Sequence, residues 1–330
     1  MSLTPRENLL RAIHHENPEW IPLRSDEIMF CPRIIPDNIA RAWVLEQKKY
    51  DGPVGGKDMF GIEWDYIPTV GGSMVRPGNP ALADISDWKK VIQFPNIDAW
   101  DWEGSAKENE EYLNTDKYIV SWIFTGMFER LISFMDFEES LVALIDEDEQ
   151  DDVKELFQAL ADFYKKYVTY LKKYYNIDAI FFHDDWGGQK ASFFSVDTCR
   201  EMIAPYLKQI VDKCHEIGVA FDFHCCGKIE NLVPVMIECG MDKWAGQPIN
   251  DKDMLIRKYG DKILIGSIDT VTPSPGTCEE MEKELEEKAK AYMDKYKDIV
   301  PEKLFYVNNF VSSETVQNVL HEAGKKLLGN

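Results

Sequence analysis

Residues 178–184, DAIFFHD, and residues 219–225, VAFDFHC, are two short runs rich in apolar and aromatic side chains. Between them, residues 197–217, DTCREMIAPYLKQIVDKCHEI, carry apolar side chains at spacings of three and four. The short runs are typical of buried strands, and the longer spacing is typical of an amphipathic helix. Strand, helix and strand in this order predict two parallel neighbouring strands with the helix outside them.

The same alternation continues along the chain in both directions. A long helical pattern covers residues 152–175, and further strand-like runs lie at residues 20–26, 118–124, 242–247, 262–269 and 304–309. This number of strand–helix repeats predicts an α/β protein with a (β/α)8 TIM barrel fold. We expect residues 1–330 to form a single barrel domain, because this length is ordinary for the fold.

Residues 27–110 interrupt this rhythm. They contain Gly-Pro, Gly-Gly and Pro-Gly pairs together with five of the nine tryptophans. Such turn-rich sequence favours loops and short antiparallel strands over further barrel repeats. We therefore predict an N-terminal loop-rich elaboration that forms an insertion, or lid, over the barrel mouth.

The composition limits the kinds of binding partner and the cellular compartment that we expect. The formal net charge is −21 and the sequence pI is near 4.7, which argues against binding to nucleic acid or to an anionic membrane. No apolar run reaches about 18 residues, and the first twenty residues are charged and amphipathic, so we predict a cytoplasmic protein. Seven cysteines, an odd number, favour reduced thiols or a metal site over a disulfide framework.

Polar side chains follow the predicted strands at their carboxyl ends, which in a barrel meet at one mouth. In FDFHCCGK, residues 221–228, strand alternation places His224 and Cys226 on one face and Cys225 on the other. Imidazole nitrogen and thiolate sulfur are both zinc ligands, so this pair is a candidate zinc site. The alternative is that His224 is a hydrogen-bonded core residue and Cys226 a small buried hydrophobe.

Five segments carry a resemblance to a known superfamily. They are TPRENLLRAIHHENPEWIPL (4–23), HDDWGGQ (183–189), HCCGK (224–228), WAGQPIND (244–251) and LIGSIDT (264–270). Their order and spacing resemble the uroporphyrinogen decarboxylase superfamily, and the resemblance covers most of the chain. It implies a (β/α)8 barrel, in agreement with the pattern of strands and helices.

This superfamily contains decarboxylases and zinc-dependent, corrinoid-linked methyltransferases. The decarboxylases carry an Arg-Gln-Ala-Gly-Arg type motif near the first strand, and the equivalent region here, PLRSDEIMFCPR (22–33), lacks it. The methyltransferases carry His-x-Cys followed by Gly, which His224, Cys226 and Gly227 match. The resemblance therefore implies zinc (Zn2+) bound by His224 and Cys226, and a corrinoid (cobalamin) carried by a partner corrinoid protein.

The chain departs from the coenzyme M enzymes of that branch, because the region of its last predicted strand, LFYVNNFVSSETVQ (304–317), has no cysteine. One thiolate fewer leaves a bound metal more electrophilic, which favours ether activation over thiolate delivery. We expect a methyltransferase that moves a methyl group from a small methylated substrate to the corrinoid cobalt. The favoured substrate is a methyl ether such as a methoxylated aromatic, which makes the reaction an O-demethylation. A methylcorrinoid:thiol methyltransferase, a uroporphyrinogen-type decarboxylase and a non-catalytic binding protein remain alternatives.

Four further residues at strand ends are candidates for catalytic roles: Asp184, Asp185, Gln247 and Asp269. Alternation lets only one of Asp184 and Asp185 face inward, to complete the metal shell, orient His224 or protonate a leaving oxygen. Helix capping or a salt bridge is the alternative role for these carboxylates. Gln247 precedes a proline, which is also consistent with a role in a turn. The sequence is compatible with a homo-oligomer.

Overall fold

The computed structural model describes residues 2–69, 71–268, 273–308 and 314–329. The chain divides into two compact units. The central unit comprises Met29–Thr115 and Ile119–Gly240, and the terminal unit comprises Met1–Ile28, Asp116–Tyr118 and Met241–Asn330.

Strands and helices alternate through most of the described residues. The strands are β1 (Glu27–Phe30), β2 (Gly56–Lys57), β3 (Glu63–Ile67), β4 (Gly72–Val75), β5 (Tyr118–Ile123), β6 (Ala179–His183), β7 (Ala220–Cys225), β8 (Lys243–Gly246), β9 (Leu264–Ile268) and β10 (Phe305–Asn308). The α-helices are α1 (Pro5–Ile13), α2 (Pro36–Ala40), α3 (Trp88–Val91), α4 (Trp102–Glu108), α5 (Glu110–Leu113), α6 (Met127–Met135), α7 (Phe137–Ala143), α8 (Gln150–Tyr175), α9 (Val196–Thr198), α10 (Ala204–Glu216), α11 (Val233–Cys239), α12 (Lys252–Tyr259), α13 (Cys278–Asp294) and α14 (Glu314–Leu327). In the part of the chain that the structure describes, none of these helices has the length and apolar character needed to cross a bilayer.

The central unit contains the parallel strands β5, β6 and β7, which are neighbours in that order. Helix α8 connects β5 to β6, and α10 connects β6 to β7. Phe182 of β6 packs against Tyr164 of α8, with ring centroids 5.3 Å apart, so the even-numbered side chains of β6 face the helices. Phe181, one residue earlier, packs on the opposite face against Trp122 of β5 at 4.4 Å. The strand and helix predictions for residues 118–225 are confirmed.

The terminal unit repeats the same pattern with β8, β9 and β10, again parallel and in chain order. Helix α12 connects the first two of these strands, and α13 connects the last two. Both units therefore consist of the α/β repeats of a TIM barrel, the fold class that the sequence predicts.

The predicted first strand at residues 20–26 is displaced in the structure. Leu23 forms a parallel bridge with Val307 of β10, but residues 24–26 form a 3-10 turn and β1 begins only at Glu27. The reason is the carboxylate of Asp26, which accepts hydrogen bonds from the Leu23 amide and the Trp20 indole, both at 2.9 Å. An aspartate that bonds the backbone three residues earlier closes a turn instead of extending a strand.

The insertion, residues 27–110, contains the predicted short antiparallel strands. Strands β2, β3 and β4 form an antiparallel sheet in which Trp64 of β3 pairs with Gly56 and with Val75. The expectations that this region acts as a lid and that residues 1–330 are a single domain stay predictions.

A buried ion cluster fixes the insertion to helix α6. The guanidinium of Arg130, which is fully buried, bonds the carboxylates of Asp37 and Asp58. Asp58 also accepts hydrogen bonds from the backbone amide of Ile62 and the indole of Trp64, each at 2.9 Å. Burial raises the pKa of Asp37 to about 6 although Arg130 opposes this shift, because one cation serves two carboxylates.

We predict that Arg130→Met destabilises the protein by about 3–5 kcal/mol, because it leaves two carboxylates buried without their cation. Arg76→Met is the matched control, since Arg76 pairs with Asp65 on the surface and its side chain is 70% exposed. Its effect should stay within about 0.5 kcal/mol. Urea unfolding curves of both variants provide the comparison, and equal losses would contradict the role of the buried cluster.

Candidate metal centre

Two histidines lie side by side where β6 and β7 end. His183 and His224 are partners in the parallel register, and their rings stack with centroids 5.0 Å apart and planes 26° apart. Cys226 follows on the same face, with its Sγ atom 3.4 Å from Nε2 of His224. The structure thus brings together His224 and Cys226, the two predicted metal ligands, and adds His183.

Asp185 completes the group, which we call the ligand cluster: His183, Asp185, His224 and Cys226. One ligand atom from each residue lies within 4.8 Å of all the others. Tetrahedral zinc with bonds of about 2.0–2.3 Å places its ligand atoms about 3.3–3.8 Å apart. The separations of the four ligand atoms are close to this range, so the set is a candidate to hold one zinc ion. Two nitrogens, one carboxylate oxygen and one sulfur are also the donor types that suit zinc.

The neighbouring Asp184 points to the opposite side of β6. Its fully buried carboxylate accepts hydrogen bonds from the backbone amides of Phe128 and Glu129, at 3.1 and 2.8 Å, and from the indole of Trp186 at 2.9 Å. Burial, aided by the charge of Glu129, raises the pKa of Asp184 to about 7. Asp184 therefore caps the start of α6, and of the two adjacent aspartates only Asp185 faces the ligand cluster.

Sequence reasoning missed Glu129, which lies in the first turn of α6. Its Oε2 atom is 2.7 Å from Nδ1 of His183, and its Oε1 atom is 3.6 Å from Nη2 of Arg41. Burial disfavours the charge of Glu129, but His183 and Arg41 outweigh it and lower the pKa to about 2. A carboxylate on Nδ1 orients the imidazole and leaves Nε2 for a metal. Glu129 comes six residues after Ile123, the last residue of β5, and no motif marks it in the sequence.

Burial dominates the electrostatics of the other ligands. It raises the pKa of the Cys226 thiol, and the nearby Asp185 carboxylate adds to this shift. The pKa of Asp185 is itself raised by burial and then by the charge of Glu129. The surroundings thus disfavour the ionised forms of Cys226 and Asp185. A bound cation would favour these ionised forms, because both side chains bind a metal after they lose their protons.

Gly227 explains why a glycine follows the two cysteines. Its φ is +91°, and a Cβ atom at this position would lie 2.1 Å from the backbone oxygen of Gly187. The Lys228 amide donates a 2.9 Å hydrogen bond to the Gly188 oxygen, so the turn after β7 packs directly on the turn after β6. Cys225 faces away from the ligand cluster, as predicted, and its Sγ accepts a hydrogen bond from the Trp186 amide at 3.0 Å.

The other predicted site residues belong to the terminal unit. Gln247 follows β8, and its carbonyl oxygen accepts hydrogen bonds from the amide and the side chain of Asn250, at 3.2 and 3.0 Å. Asp269 lies outside the described residues. Catalytic roles for Gln247 and Asp269 stay predictions.

Residues 125–300 match the family model described as Uroporphyrinogen decarboxylase (URO-D), and the chain belongs to this family. No curated protein matches the sequence significantly.

Among solved structures, a methyltransferase from Methanosarcina mazei superposes with a TM-score of 0.63, at 14% identity over 100% of both chains. This likeness confirms the predicted barrel fold. Two weaker likenesses have TM-scores of 0.36. One is an endo-beta-1,4-xylanase from Gloeophyllum trabeum, at 9% identity over 64% of this chain and 76% of the other. The second is an AP endonuclease, family 2, from Brucella melitensis, at 11% identity over 67% and 82%.

We predict that Gly227→Ala disrupts the turn and displaces Cys226, because the added methyl group collides with the backbone of Gly187. Gly218→Ala is the matched control, since its φ is +68° but no atom lies within 4 Å of the added Cβ. The control should lose about 1 kcal/mol from the backbone conformation alone, and Gly227→Ala should lose clearly more. Thermal unfolding of both variants tests the difference.

Glu129→Gln should weaken metal binding by about 10- to 100-fold, because the neutral amide holds the His183 imidazole less firmly than the carboxylate does. Glu138→Gln, an exposed change in α7, is the control and should leave the affinity unchanged. Competition between the protein and a chromophoric zinc chelator measures both affinities. Equal zinc affinities of the two variants would show that Glu129 does not support metal binding by His183.

Proposed function

We propose that this protein is a zinc-dependent methyltransferase, which moves a methyl group from a methyl ether to the cobalt of a corrinoid on a partner protein. The observation that carries the proposal is the convergence of His183, Asp185, His224 and Cys226 at the ends of two adjacent strands. Membership of the URO-D family supports the proposal, because that family's fold also serves the methyltransferase from Methanosarcina mazei.

The donor set determines which direction of methyl transfer we favour. When bound, zinc supplies a Lewis acid that draws electron density from an ether oxygen. Cys226 contributes a single thiolate, and no second cysteine among the described residues belongs to the ligand cluster. Imidazole and carboxylate ligands leave the metal more electrophilic than several thiolates would, which suits ether activation better than delivery of a bound thiol.

The protein's own residues have definable tasks in this reaction. Glu129 holds His183 by its Nδ1 atom, and this contact keeps Nε2 directed at the ligand cluster. The amide of Cys226 donates a 2.6 Å hydrogen bond to Oδ1 of Asp185, so the turn that carries the thiol also orients the carboxylate. Three of the four ligands are thereby positioned by contacts within the central unit.

The face of β5, β6 and β7 that leads to the ligand cluster offers no space for a corrinoid. Trp122, Phe181 and His224 stack in sequence, with centroids 4.4 and 5.5 Å apart, and fill the face of the strands that leads to the ligand cluster. A large macrocycle must therefore approach from outside the strand ends, which is why we assign it to a separate partner protein. In the proposed transfer, the carbon–oxygen bond of the ether would break with its electrons left on oxygen, and cobalt(I) of the partner's corrinoid would supply the electron pair for the new bond to the methyl group.

Two alternatives make different predictions. A methylcorrinoid:thiol methyltransferase would use the same metal but would methylate a thiol acceptor in the presence of a methylated corrinoid protein. A uroporphyrinogen-type decarboxylase would need no metal and would turn over a porphyrinogen. The absence of the Arg-Gln-Ala-Gly-Arg motif from residues 22–33 makes us prefer methyl transfer.

The first test is the zinc content of the purified, zinc-repleted protein and of the His224→Ala, Cys226→Ala double variant. We expect about one zinc per chain in the wild type and almost none in the variant. The matched control, His14→Ala with Cys278→Ala, also removes one imidazole and one thiol, but from exposed positions, and should retain the metal.

Activity is measured with a cob(I)alamin acceptor and a panel of methyl ethers. Methylation of cobalt that requires both zinc and the intact ligand cluster supports the proposal. A wild type without zinc, or porphyrinogen decarboxylation that the double variant retains, would exclude it.

A further inference from the structure

The buried ion cluster of Asp37, Asp58 and Arg130, which we call the Arg130 cluster, holds two negative charges and one positive charge when every member is ionised. None of the three residues is more than 5% exposed. An unbalanced charge in such surroundings is unfavourable, because no water solvates it. The Arg130 cluster reaches charge balance when it binds one proton.

The hydrogen bonds within the cluster indicate which carboxylate takes this proton. Among the described residues, Asp58 accepts four hydrogen bonds, from two backbone amides, the Trp64 indole and the Arg130 guanidinium. Asp37 accepts only two, from the Met59 amide and from Arg130, each at 3.0 Å. Hydrogen-bond donors stabilise the ionised form of a carboxylate. Asp58 therefore keeps its charge, and Asp37 is the member that binds the proton.

The other charged and titratable groups that face Asp37 are consistent with this assignment. Burial raises the pKa of Asp37 to about 6, the charge of the second carboxylate adds to the rise, and Arg130 and Arg41 oppose it. Helix α8 contributes the phenols of Tyr164 and Tyr167. Burial raises the pKa of both phenols above its ordinary value, so they stay neutral in the range where Asp37 titrates.

The Arg130 cluster joins two elements that also share a pocket. Its carboxylates belong to the insertion and its guanidinium belongs to α6. A pocket of about 420 Å³ is lined by Trp64 and Val75 of the insertion and by Ile132 and Ser133 of α6. Trp64 takes part in both features, because its indole also bonds Asp58. The strength of the cluster therefore affects how firmly one wall of the pocket is held to the other.

We propose that the Arg130 cluster is a proton-dependent latch between the insertion and α6. With a proton on Asp37, the cluster is neutral overall and holds the two elements together firmly. Without this proton, the cluster carries a net negative charge, and the insertion separates from α6 more often, which opens the pocket. The latch does not depend on the reaction that the protein catalyses.

The raised pKa of Asp37 sets the pH range of the latch. The folded protein holds the proton up to about pH 6, whereas the unfolded chain releases it near the ordinary aspartate pKa of about 4. The resulting stabilisation is complete below the unfolded pKa and is lost as the pH rises through the folded pKa. From about pH 5 to about pH 7, this group alone should raise the unfolding equilibrium constant by about tenfold.

The test compares urea unfolding of the wild type and of Asp37→Asn at about pH 5 and about pH 7, at fixed ionic strength. Asparagine resembles the protonated carboxyl and cannot titrate, so the wild type should show an additional increase of about tenfold in its unfolding constant. Asp184, whose pKa is also raised, is present in both proteins, so its titration cancels in the difference. An identical pH dependence of the two proteins would overturn the proposal.

Asp65→Asn is the matched control for this comparison. Asp65 pairs with Arg76 at the surface, and its side chain is 45% exposed. This variant should show the same change between the two pH values as the wild type. A loss of the pH dependence in Asp65→Asn as large as that in Asp37→Asn would also contradict the latch, because the effect would not be specific to the buried cluster.

Hydrogen exchange of the wild type provides an independent measurement if Asp37→Asn does not fold. The amides of Met59 and Ile62 bond the two carboxylates of the cluster. After correction for intrinsic exchange rates, their protection should fall by about tenfold from about pH 5 to about pH 7. The amides of Ile217 and Gly218, at the end of α10, are the control and should keep their protection. Constant protection of Met59 and Ile62, or an equal fall at the control amides, would overturn the proposal.

Discussion

The buried guanidinium of Arg130 is the interaction on which the central unit depends most. It joins Asp37 and Asp58 of the insertion to helix α6 in a region from which water is excluded. Removing the guanidinium leaves two carboxylates that their surroundings cannot solvate, so the cation is needed to keep this region closed. Because Glu129 is the preceding residue of the same helix, the position of the insertion and the position of the carboxylate behind His183 are set by one element.

Asp184 also holds helix α6, at its first turn. This aspartate bonds the amides of Phe128 and Glu129, and the amide of Gly126 donates a 2.7 Å hydrogen bond to the His183 oxygen. The end of β6, which carries His183 and Asp185, is therefore hydrogen-bonded to α6, the helix whose Glu129 orients His183. Such mutual support is what holds a metal-binding geometry in place before a metal arrives.

Much of the fold could be predicted from hydrophobic runs and their spacing, because parallel strands buried on both faces read as continuous apolar segments. The shared face of His224 and Cys226 follows from strand alternation and needed no tertiary information. Asp26 shows the limit at the first strand, where a side-chain hydrogen bond overrides a strand-like pattern. Glu129 and Arg41 show the limit at the site. Both come from segments far along the chain from His183, and only three-dimensional packing brings them to it.

The alternation of β6 and β7 divides the residues around the ligand cluster into two series. His183, Asp185, His224 and Cys226 face the cluster, whereas Asp184 and Cys225 face the helices and are fully buried. Substitutions in the first series change the donor atoms offered to a metal, and substitutions in the second series change the packing of the strands against the helices. In evolutionary terms, fold and reactivity are encoded at interleaved positions of the same two strands, so the donor atoms can change at positions that do not face the helices.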